Sequence, residues 1–312
     1  MLASSERHTA TDGTAIQVYR WAPEGSPRAV MHVVHGMAEH AARYARLASA
    51  LTAEGFVVYA HDHRGHGQTA TPGSVGHMGE DGWLHAHDDL RALITKEQAA
   101  HVGLPYVLFG HSMGSFMVQE MLFERSHDLA AAVLSGTNGK PTPIAAAGRL
   151  VARAERLRLG AKGSSKLLAT LSFEAFNKAY RPNRTAFDWL SRDNAEVDKY
   201  VADPLCGFEC STETWVGLLD TLGRIALPQN QARIRKDLPI YVFAGGDDQM
   251  SERAKGVRQL LGAYQRAGLS RVTHDIYEGA RHEVLNETNR DEVTKKLLTW
   301  LTDNVGAGAA RS

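Results

Sequence analysis

A serine lies between two glycines in the segment Gly110-His111-Ser112-Met113-Gly114, which follows a short apolar run and precedes a helical pattern. A strand, a sharp turn and a helix in this order are what a nucleophile elbow requires. A serine hydroxyl becomes a useful nucleophile only when a base removes its proton and the turn holds its oxygen clear of the chain. The two glycines leave out side chains where strand and helix come close. The segment therefore predicts that Ser112 is a catalytic nucleophile.

Such a serine needs a histidine as its base and a carboxylate that orients the histidine. When a nucleophile elbow joins a strand to a helix, the carboxylate and then the histidine follow the serine along the chain. The apolar run that starts at Ile240 ends in Asp247 and Asp248, and the run that starts at Asp275 leads to His282. We assign His282 as the general base and Asp248 as the acid, with Asp247 as the alternative because a one-residue shift in the turn would exchange them. Folding must bring the three side chains into hydrogen-bonding contact.

The attacked carbonyl oxygen gains negative charge, which two backbone N–H groups must stabilise. One donor is expected from Met113, the residue after the nucleophile. The other is expected from Met37, in the loop 35–40 that follows an earlier strand candidate. Gly36 has no side chain, so this loop can approach the substrate closely.

Short apolar runs rich in β-branched residues alternate with helical patterns along most of the chain. We predict strands at residues 15–21, 29–34, 56–60, 106–109, 131–134, 239–244 and 272–277. Helical spacing covers residues 43–53, 83–100, 113–125, 252–267 and 290–304. Near-continuous apolar strands between helices indicate an α/β fold with a mostly parallel sheet flanked by helices. Ligands of such sheets bind beyond the carboxyl ends of the strands, where Ser112 is expected.

This alternation stops between residues 138 and 235, where helical patterns carry many large apolar side chains and no strand is evident. We interpret residues 138–235 as a helical cap inserted into a core of residues 1–137 and 236–305. Residues 306–312 are small and polar, and we expect them to form a flexible tail. A basic edge of the cap is formed by Arg149, Arg153, Arg156, Arg158, Lys162 and Lys166. Such an edge is ordinarily solvated, and the alternative is transient contact with an anionic lipid surface.

The composition excludes several classes of protein. The chain has 312 residues and a formal net charge of zero, so it lacks the basic surface that nucleic-acid binding requires. No apolar run is long enough to span a membrane, and the first residues carry no secretory pattern. Two cysteines fit a reducing compartment, and we expect a cytoplasmic protein without an obligate protein partner. The histidine spacings match no catalytic metal motif, so we expect neither a metal nor a cofactor.

Five segments, in order along the chain, carry a resemblance to a known family: His35-Gly-Met-Ala-Glu-His40 with Arg43-Tyr44, Asp62-His-Arg-Gly-His-Gly67, Gly110-His-Ser-Met-Gly114, Gly245-Gly-Asp-Asp248 and Gly279-Ala-Arg-His-Glu283. Together they resemble the α/β-hydrolase branch that contains monoacylglycerol lipases and lysophospholipases. The resemblance implies hydrolysis of a carboxylic ester without a cofactor. It implies the same site residues, namely Ser112, Asp248 and His282 as the triad and Met37 and Met113 as oxyanion donors.

The chain departs from this family at two places near the site. Ala38 stands where the family usually has glycine, and Gln249-Met250 stands where it often has Pro-Val. The polar run 62–67 and His111 are interpreted as bracing the loops around the elbow, without a part in the reaction.

The leading hypothesis is a serine esterase that acts through an acyl-enzyme on lipid esters with medium or long acyl chains, such as monoacylglycerols or lysophospholipids. An aminopeptidase or a carbon–carbon bond hydrolase would use the same triad. A non-catalytic binding module of the same fold is a further alternative.

Overall fold

The computed structural model describes residues 3–139 and 143–305 of the chain. It contains an eight-stranded sheet with the spatial order β1-β2-β4-β3-β5-β6-β7-β8. The strands are β1 (Ser4–Thr9), β2 (Ala15–Trp21), β3 (Ala29–Val34), β4 (Phe56–His61), β5 (Tyr106–His111), β6 (Ala131–Ser135), β7 (Ile240–Gly245) and β8 (Val272–Tyr277). β2 pairs antiparallel with β1 and β4, and every other neighbouring pair is parallel. The predicted α/β fold with a mostly parallel sheet is confirmed.

Strand β1 is the one that the sequence does not predict. Its residues Ser4–Thr9 are polar and mostly exposed, and it pairs only with β2 at the edge of the sheet. An exposed edge strand has no apolar alternation by which it could be recognised. The other seven strands lie where the apolar runs predict them, with ends shifted by at most two residues.

Helices join the strands and cover both faces of the sheet. They are α1 (Ala45–Ala53), α2 (Gly82–Ala100), α3 (Met113–Arg125), α4 (Pro143–Leu159), α5 (Lys166–Ala169), α6 (Ala175–Lys178), α7 (Asn194–Ala202), α8 (Thr212–Ile225), α9 (Pro228–Gln231), α10 (Lys255–Arg266) and α11 (Arg290–Asn304). A π-helical turn links α5 to α6. Turns of 3₁₀ helix occur at Ala41–Tyr44, Gly67–Thr69, Ser126–Asp128 and Val284–Asn286.

Six of these helices, α4 to α9, lie between β6 and β7, in the region interpreted as a cap. No strand of the sheet comes from the described part of that region. The first residues of the expected cap, 140–142, and the expected tail, 306–312, lie outside the described residues.

Side chains of the strands alternate between the two faces and build one core on each. In β3, Val30 and Val34 enter one core, whereas Met31 and Val33 enter the other. The first core is completed by α2, α3, α8 and α10, and the second by α1 and α11. This burial on both faces explains why the parallel strands read as continuous apolar runs. Across residues 3–139 and 143–305, every helix is too short or too polar to cross a bilayer.

Candidate active site

Ser112 occupies a strained turn between β5 and α3. Its backbone angles are φ 51° and ψ −120°, a conformation that residues with a side chain rarely adopt. The turn is tight because the flanking glycines allow it: a Cβ on Gly110 would lie 2.6 Å from the carbonyl oxygen of Gly114. A Cβ on Gly114 would collide with the carbonyl oxygen of Val34 in β3. These contacts are those of a nucleophile elbow, and they place Ser112 at the carboxyl edge of the sheet.

A buried carboxylate–imidazole pair forms at the same edge. Asp248 follows β7 and His282 follows β8, and Oδ2 of Asp248 lies 3.1 Å from Nδ1 of His282. Asp248 is fully buried, and the amide of Met250 donates to its Oδ1 at 2.9 Å. Asp247 is half-buried and makes no hydrogen bond to His282 within the described residues. The structure therefore pairs Asp248, and not Asp247, with the histidine.

The pair changes the proton affinity of the imidazole. Burial of His282 disfavours its charged form, but the charge of Asp248 and the hydrogen bond to it outweigh this cost and raise the pKa of His282. The ring also lies against Trp189, with 5.0 Å between ring centroids. The backbone holds the histidine loop to that segment, because the amide of Glu283 donates to the carbonyl oxygen of Leu190 at 2.8 Å.

Ser112 and the His282 ring both lie next to the segment 135–136. The amide of Ser112 donates to the carbonyl oxygen of Ser135 at 3.0 Å. A Cβ on Gly136 would lie 3.1 Å from Cε1 of His282. Two hydrogen bonds are expected in such a triad. The bond between Asp248 and His282 is present, and no hydrogen bond joins the Ser112 hydroxyl to the His282 ring among the described residues. Without a substrate such catalytic bonds are often long, and they shorten when the reacting complex forms.

The loop after β3 closes over the elbow. A Cβ on Gly36 would lie 3.2 Å from Cβ of Ser112, which explains why this position has no side chain. The amides of Met37 and Met113 donate to no described acceptor, as an oxyanion site requires. Their role as oxyanion donors stays a prediction. Ala38 has φ 57°, a left-handed conformation that glycine adopts more easily than alanine.

A buried ionic cluster anchors that loop to the histidine loop. Glu39 accepts hydrogen bonds from the Gly36 amide at 2.6 Å, from Arg43 at 2.5 Å and from the Tyr44 hydroxyl at 3.0 Å. Arg43 also donates to both carboxylate oxygens of Glu283 at 2.8 Å. Burial would raise the pKa of Glu283, but the charge of Arg43 lowers it to about 2, so this carboxylate stays ionised.

Sequence reasoning missed the part that Glu283 plays in this cluster. The available signal was its position directly after the candidate base, but Arg43 lies 240 residues away along the chain.

Two other polar features, which the sequence analysis interpreted as bracing, lie near the elbow. Asp62 accepts hydrogen bonds from the backbone amides of Ala41 at 2.8 Å and Gln68 at 2.7 Å. Burial lowers the pKa of His111 to about 4, so its ring is neutral near pH 7. That ring lies 4.9 Å from the ring of His282, between centroids. Neither residue contacts the Ser112 hydroxyl through a hydrogen bond in the described part of the chain.

An elbow serine after β5, a carboxylate after β7 and a histidine after β8 of a mostly parallel sheet define an α/β-hydrolase. Residues 25–289 match the family described as serine aminopeptidase, S33, and the chain belongs to that family.

Individual relatives agree with this assignment. The chain is 30% identical to the monoacylglycerol lipase of Mycolicibacterium smegmatis over 97% of its own length and 98% of that protein. It is 29% identical to the human monoglyceride lipase over 96% of its own length and 91% of that protein. A carboxyl esterase from Bacillus coagulans, solved in complex with glycerol, superimposes with a TM-score of 0.90 at 26% identity, covering 98% of this chain and 99% of the other.

The resemblance drawn from the five motifs is therefore confirmed. The chain is a serine carboxylic ester hydrolase of this family. The relatives do not favour the alternatives of an aminopeptidase, a carbon–carbon bond hydrolase or a binding module.

Proposed function

We propose that the enzyme hydrolyses monoacylglycerols or lysophospholipids, with Ser112, His282 and Asp248 as the catalytic triad. The main support is the buried Asp248–His282 pair, which lies beside a serine in a strained elbow. The names of relatives, monoacylglycerol lipase and probable lysophospholipase, support the substrate class.

The reaction proceeds in two steps. Nε2 of His282 takes the hydroxyl proton while Oγ of Ser112 attacks the ester carbonyl carbon. The tetrahedral oxyanion accepts hydrogen bonds from the Met37 and Met113 amides. The carbon–oxygen ester bond then breaks, and the alcohol leaves with the proton from His282. Water attacks the acyl-enzyme, again with His282 as the base, and the fatty acid leaves. Asp248 stabilises the imidazolium in both steps.

The helical region 138–235 is proposed as a cap that supplies the acyl-chain surface. An aromatic row extends from His282 into this region. Trp189 lies against the histidine, Phe173 stacks on Trp189 at 5.4 Å, and Trp215 lies 5.6 Å from Phe173, all between ring centroids. Aromatic side chains next to the base provide the apolar contact that an acyl chain needs.

The cap is also proposed to contact lipid surfaces transiently. Leu150 is 69% exposed and Leu157 is 86% exposed, one above the other on α4, and Leu167 and Leu171 are about half exposed. The α4 arginines, in contrast, all pair with acidic side chains. Contact would therefore depend on leucines more than on basic charge. The double variant Leu150→Ser with Leu157→Ser should show reduced co-sedimentation with phosphatidylcholine vesicles, and unchanged sedimentation would contradict this part of the proposal.

A cytoplasmic location is proposed as well. Cys206 and Cys210 are both free, which suits a reducing compartment. Fractionation of cells that express the chain would test this directly, and recovery outside the cytoplasm would contradict it.

The triad assignment is tested with paired variants. Ser112→Ala should remove hydrolysis of a p-nitrophenyl ester. Asp248→Asn should lower kcat by about 10⁴-fold because the imidazole loses its orienting carboxylate. Asp247→Asn is the matched control and should retain most of the activity. Activity of Ser112→Ala at the parent rate would contradict the proposal, and loss in Asp247→Asn alone would reassign the acid.

The substrate class is tested by rate against acyl length. Monoacylglycerols and lysophosphatidylcholines with matched acyl chains should be hydrolysed faster than aminoacyl amides. For both lipids, kcat/KM should rise from short to medium chains, because each buried methylene contributes apolar contact. A rate independent of chain length would contradict the acyl-chain surface proposed for the cap.

A further inference from the structure

A second group of chemically active side chains, His40, Asp203 and Cys206, lies outside the proposed triad. Each offers one metal-ligating atom, and these atoms all lie within 4.8 Å of one another. Nε2 of His40 is 2.9 Å from Oδ2 of Asp203. The group joins two distant parts of the chain: His40 ends the loop after β3, whereas Asp203 caps the C-terminus of α7. A turn then brings Cys206 back, since its amide donates to the Asp203 carbonyl oxygen at 3.0 Å.

The group has bonding capacity that the described residues do not use. His40 is 7% exposed, and its Nδ1 is buried without a hydrogen-bond partner among them. The atom placed to bind an ion together with Asp203 is Nε2, which faces the Asp203 carboxylate. Cys206 is a half-buried free thiol. The amide of Leu205 donates to Oδ1 of Asp203 at 2.9 Å, which orients the carboxylate and leaves Oδ2 facing His40.

The donor atoms suit a particular class of metal ion. An imidazole, a thiolate and a carboxylate are ligands of zinc and similar ions, whereas calcium and magnesium take oxygen ligands. Three protein donors leave a fourth tetrahedral position for water. The Asp203 carboxylate supplies the negative charge of the group, whereas the nearby carboxylates of Glu39 and Glu283 are paired with Arg43.

We propose that His40, Asp203 and Cys206 bind one divalent ion of the zinc type and that this ion fastens the loop after β3 to the segment after α7. The Cys206 sulfur bonds to the ion as a thiolate, and the proton of the thiol passes to water, as metal binding to cysteine ordinarily requires. The site is distinct from the proposed triad, and its ion takes no part in ester hydrolysis. It departs from the expectation of no metal, which rested on short spacings between histidines, because His40 and Asp203 lie 163 residues apart.

Hydrogen bonds already join the two segments at this place. The carbonyl oxygen of Ala38 accepts from the Tyr200 hydroxyl at 2.8 Å and from the Gly207 amide at 2.9 Å. A bound ion adds a stronger, reversible link beside these bonds. It therefore slows the opening of the loop that carries Met37, and it raises the melting temperature by binding the folded state.

Co²⁺ is the probe, because cobalt bound to a thiolate has a charge-transfer absorption that zinc lacks. The metal-free enzyme should bind one Co²⁺ per chain with this absorption, and Zn²⁺ should displace it. Cys206→Ser and His40→Gln should lose the absorption. Cys210→Ala is the matched control, because it removes the only other thiol, and it should keep the absorption.

Three results would overturn the proposal: no charge-transfer absorption in the parent enzyme, its persistence in Cys206→Ser, or its loss in Cys210→Ala alone. If a variant fails to fold, X-ray absorption of the zinc-loaded parent enzyme decides. It should show one sulfur ligand at about 2.3 Å, and a shell of nitrogen and oxygen alone would contradict the site.

Hydrogen exchange tests separately whether the bound ion restrains the two segments. Hydrogen exchange at residues 37–40 and 200–207 should slow when Zn²⁺ is added to the parent enzyme, and it should not change in Cys206→Ser. Because these experiments measure metal binding and loop opening, they are decided independently of the proposed substrate or triad.

Discussion

The elbow and the loop after β3 meet at Ser112, but they are held in place by different forces. Close backbone packing shapes the elbow, since Gly110 and Gly114 bring β5, α3 and β3 together without intervening side chains. Buried charges hold the loop, through Glu39 and its partner Arg43. Steric packing cannot be relaxed by pH or salt, whereas a charge cluster depends on every one of its members. Substitutions in the elbow should therefore act through steric clashes, and substitutions in the loop after β3 should act through unpaired buried charges.

The largest expected effect on stability comes from removing the cation of the charge cluster. Arg43→Met leaves the carboxylates of Glu39 and Glu283 buried without their cation, so the free energy of unfolding should fall by about 3–5 kcal/mol. Arg91→Met is the control, because the exposed ion pairs of Arg91 are worth about 1 kcal/mol or less. Urea unfolding of both variants measures the difference. Equal losses would show that the cluster does not anchor the loop.

The next largest effect is expected from adding a methyl group to the elbow. Gly114→Ala places a methyl group against the carbonyl oxygens of Val34 and His35, so α3 must move away from the sheet. Overpacking of this kind costs about 1–3 kcal/mol, and kcat should fall because the Ser112 hydroxyl is displaced. Thermal unfolding and ester hydrolysis check both parts. Gly148→Ala is the control, because a Cβ there meets no atom within 4 Å; unchanged activity of Gly114→Ala would contradict the steric account.

Proton binding distinguishes the proposed triad from the charge cluster. The pKa of His282 is raised above its ordinary value of 6.5, and the general base proposed here must be a neutral ring. The acid limb of kcat/KM should therefore have its midpoint above pH 6.5, and a midpoint below pH 6 would contradict the buried ion pair. Glu283, with a pKa of about 2, stays charged throughout this range.

The same shifts predict opposite trends in stability. The stabilisation from protonated His282 is complete below pH 6.5 and is lost as the pH rises through its raised pKa. The stabilisation from Glu283 is complete above pH 4.5 and is lost as the pH falls towards 2. Urea unfolding of the parent enzyme and of His282→Gln between pH 5 and 9 isolates the first trend. A difference that grows with pH would contradict it.

The smallest effect concerns strain in the loop. Ala38 holds a left-handed backbone conformation that suits glycine better, so Ala38→Gly should raise the free energy of unfolding by about 0.5–1 kcal/mol. Ala154→Gly, at an exposed position inside α4, is the control and should lower it. A loss of stability in both variants would show that the Ala38 methyl group contributes more than the strain costs.

The sequence predicts the triad positions because parallel strands bring their carboxyl ends to one edge of the sheet. Ser112, Asp248 and His282 each follow such a strand, so their neighbourhood is a consequence of topology. The choice between Asp247 and Asp248 depends on one turn, in which the Asp248 amide donates to the Gly245 carbonyl oxygen at 3.3 Å. Sequence alone does not fix that geometry.

Contacts between distant helices and loops cannot be predicted from the topology of the sheet. The pairing of Arg43 with Glu283 spans 240 residues, and that of His40 with Asp203 spans 163. Both depend on how irregular segments pack, for which no periodic pattern exists. The edge strand β1 could not be predicted for a related reason, because its exposed polar residues carry no signal of burial.

The most direct test of the account is the identity of the acylated residue. The enzyme is incubated with a slowly hydrolysed medium-chain p-nitrophenyl ester, quenched in acid and digested, and its peptides are sequenced by mass spectrometry. We expect one acyl group on Ser112 in the parent enzyme and none in Ser112→Ala. Turnover without an acyl group on Ser112, or an acyl group on another residue at the same yield, would contradict it.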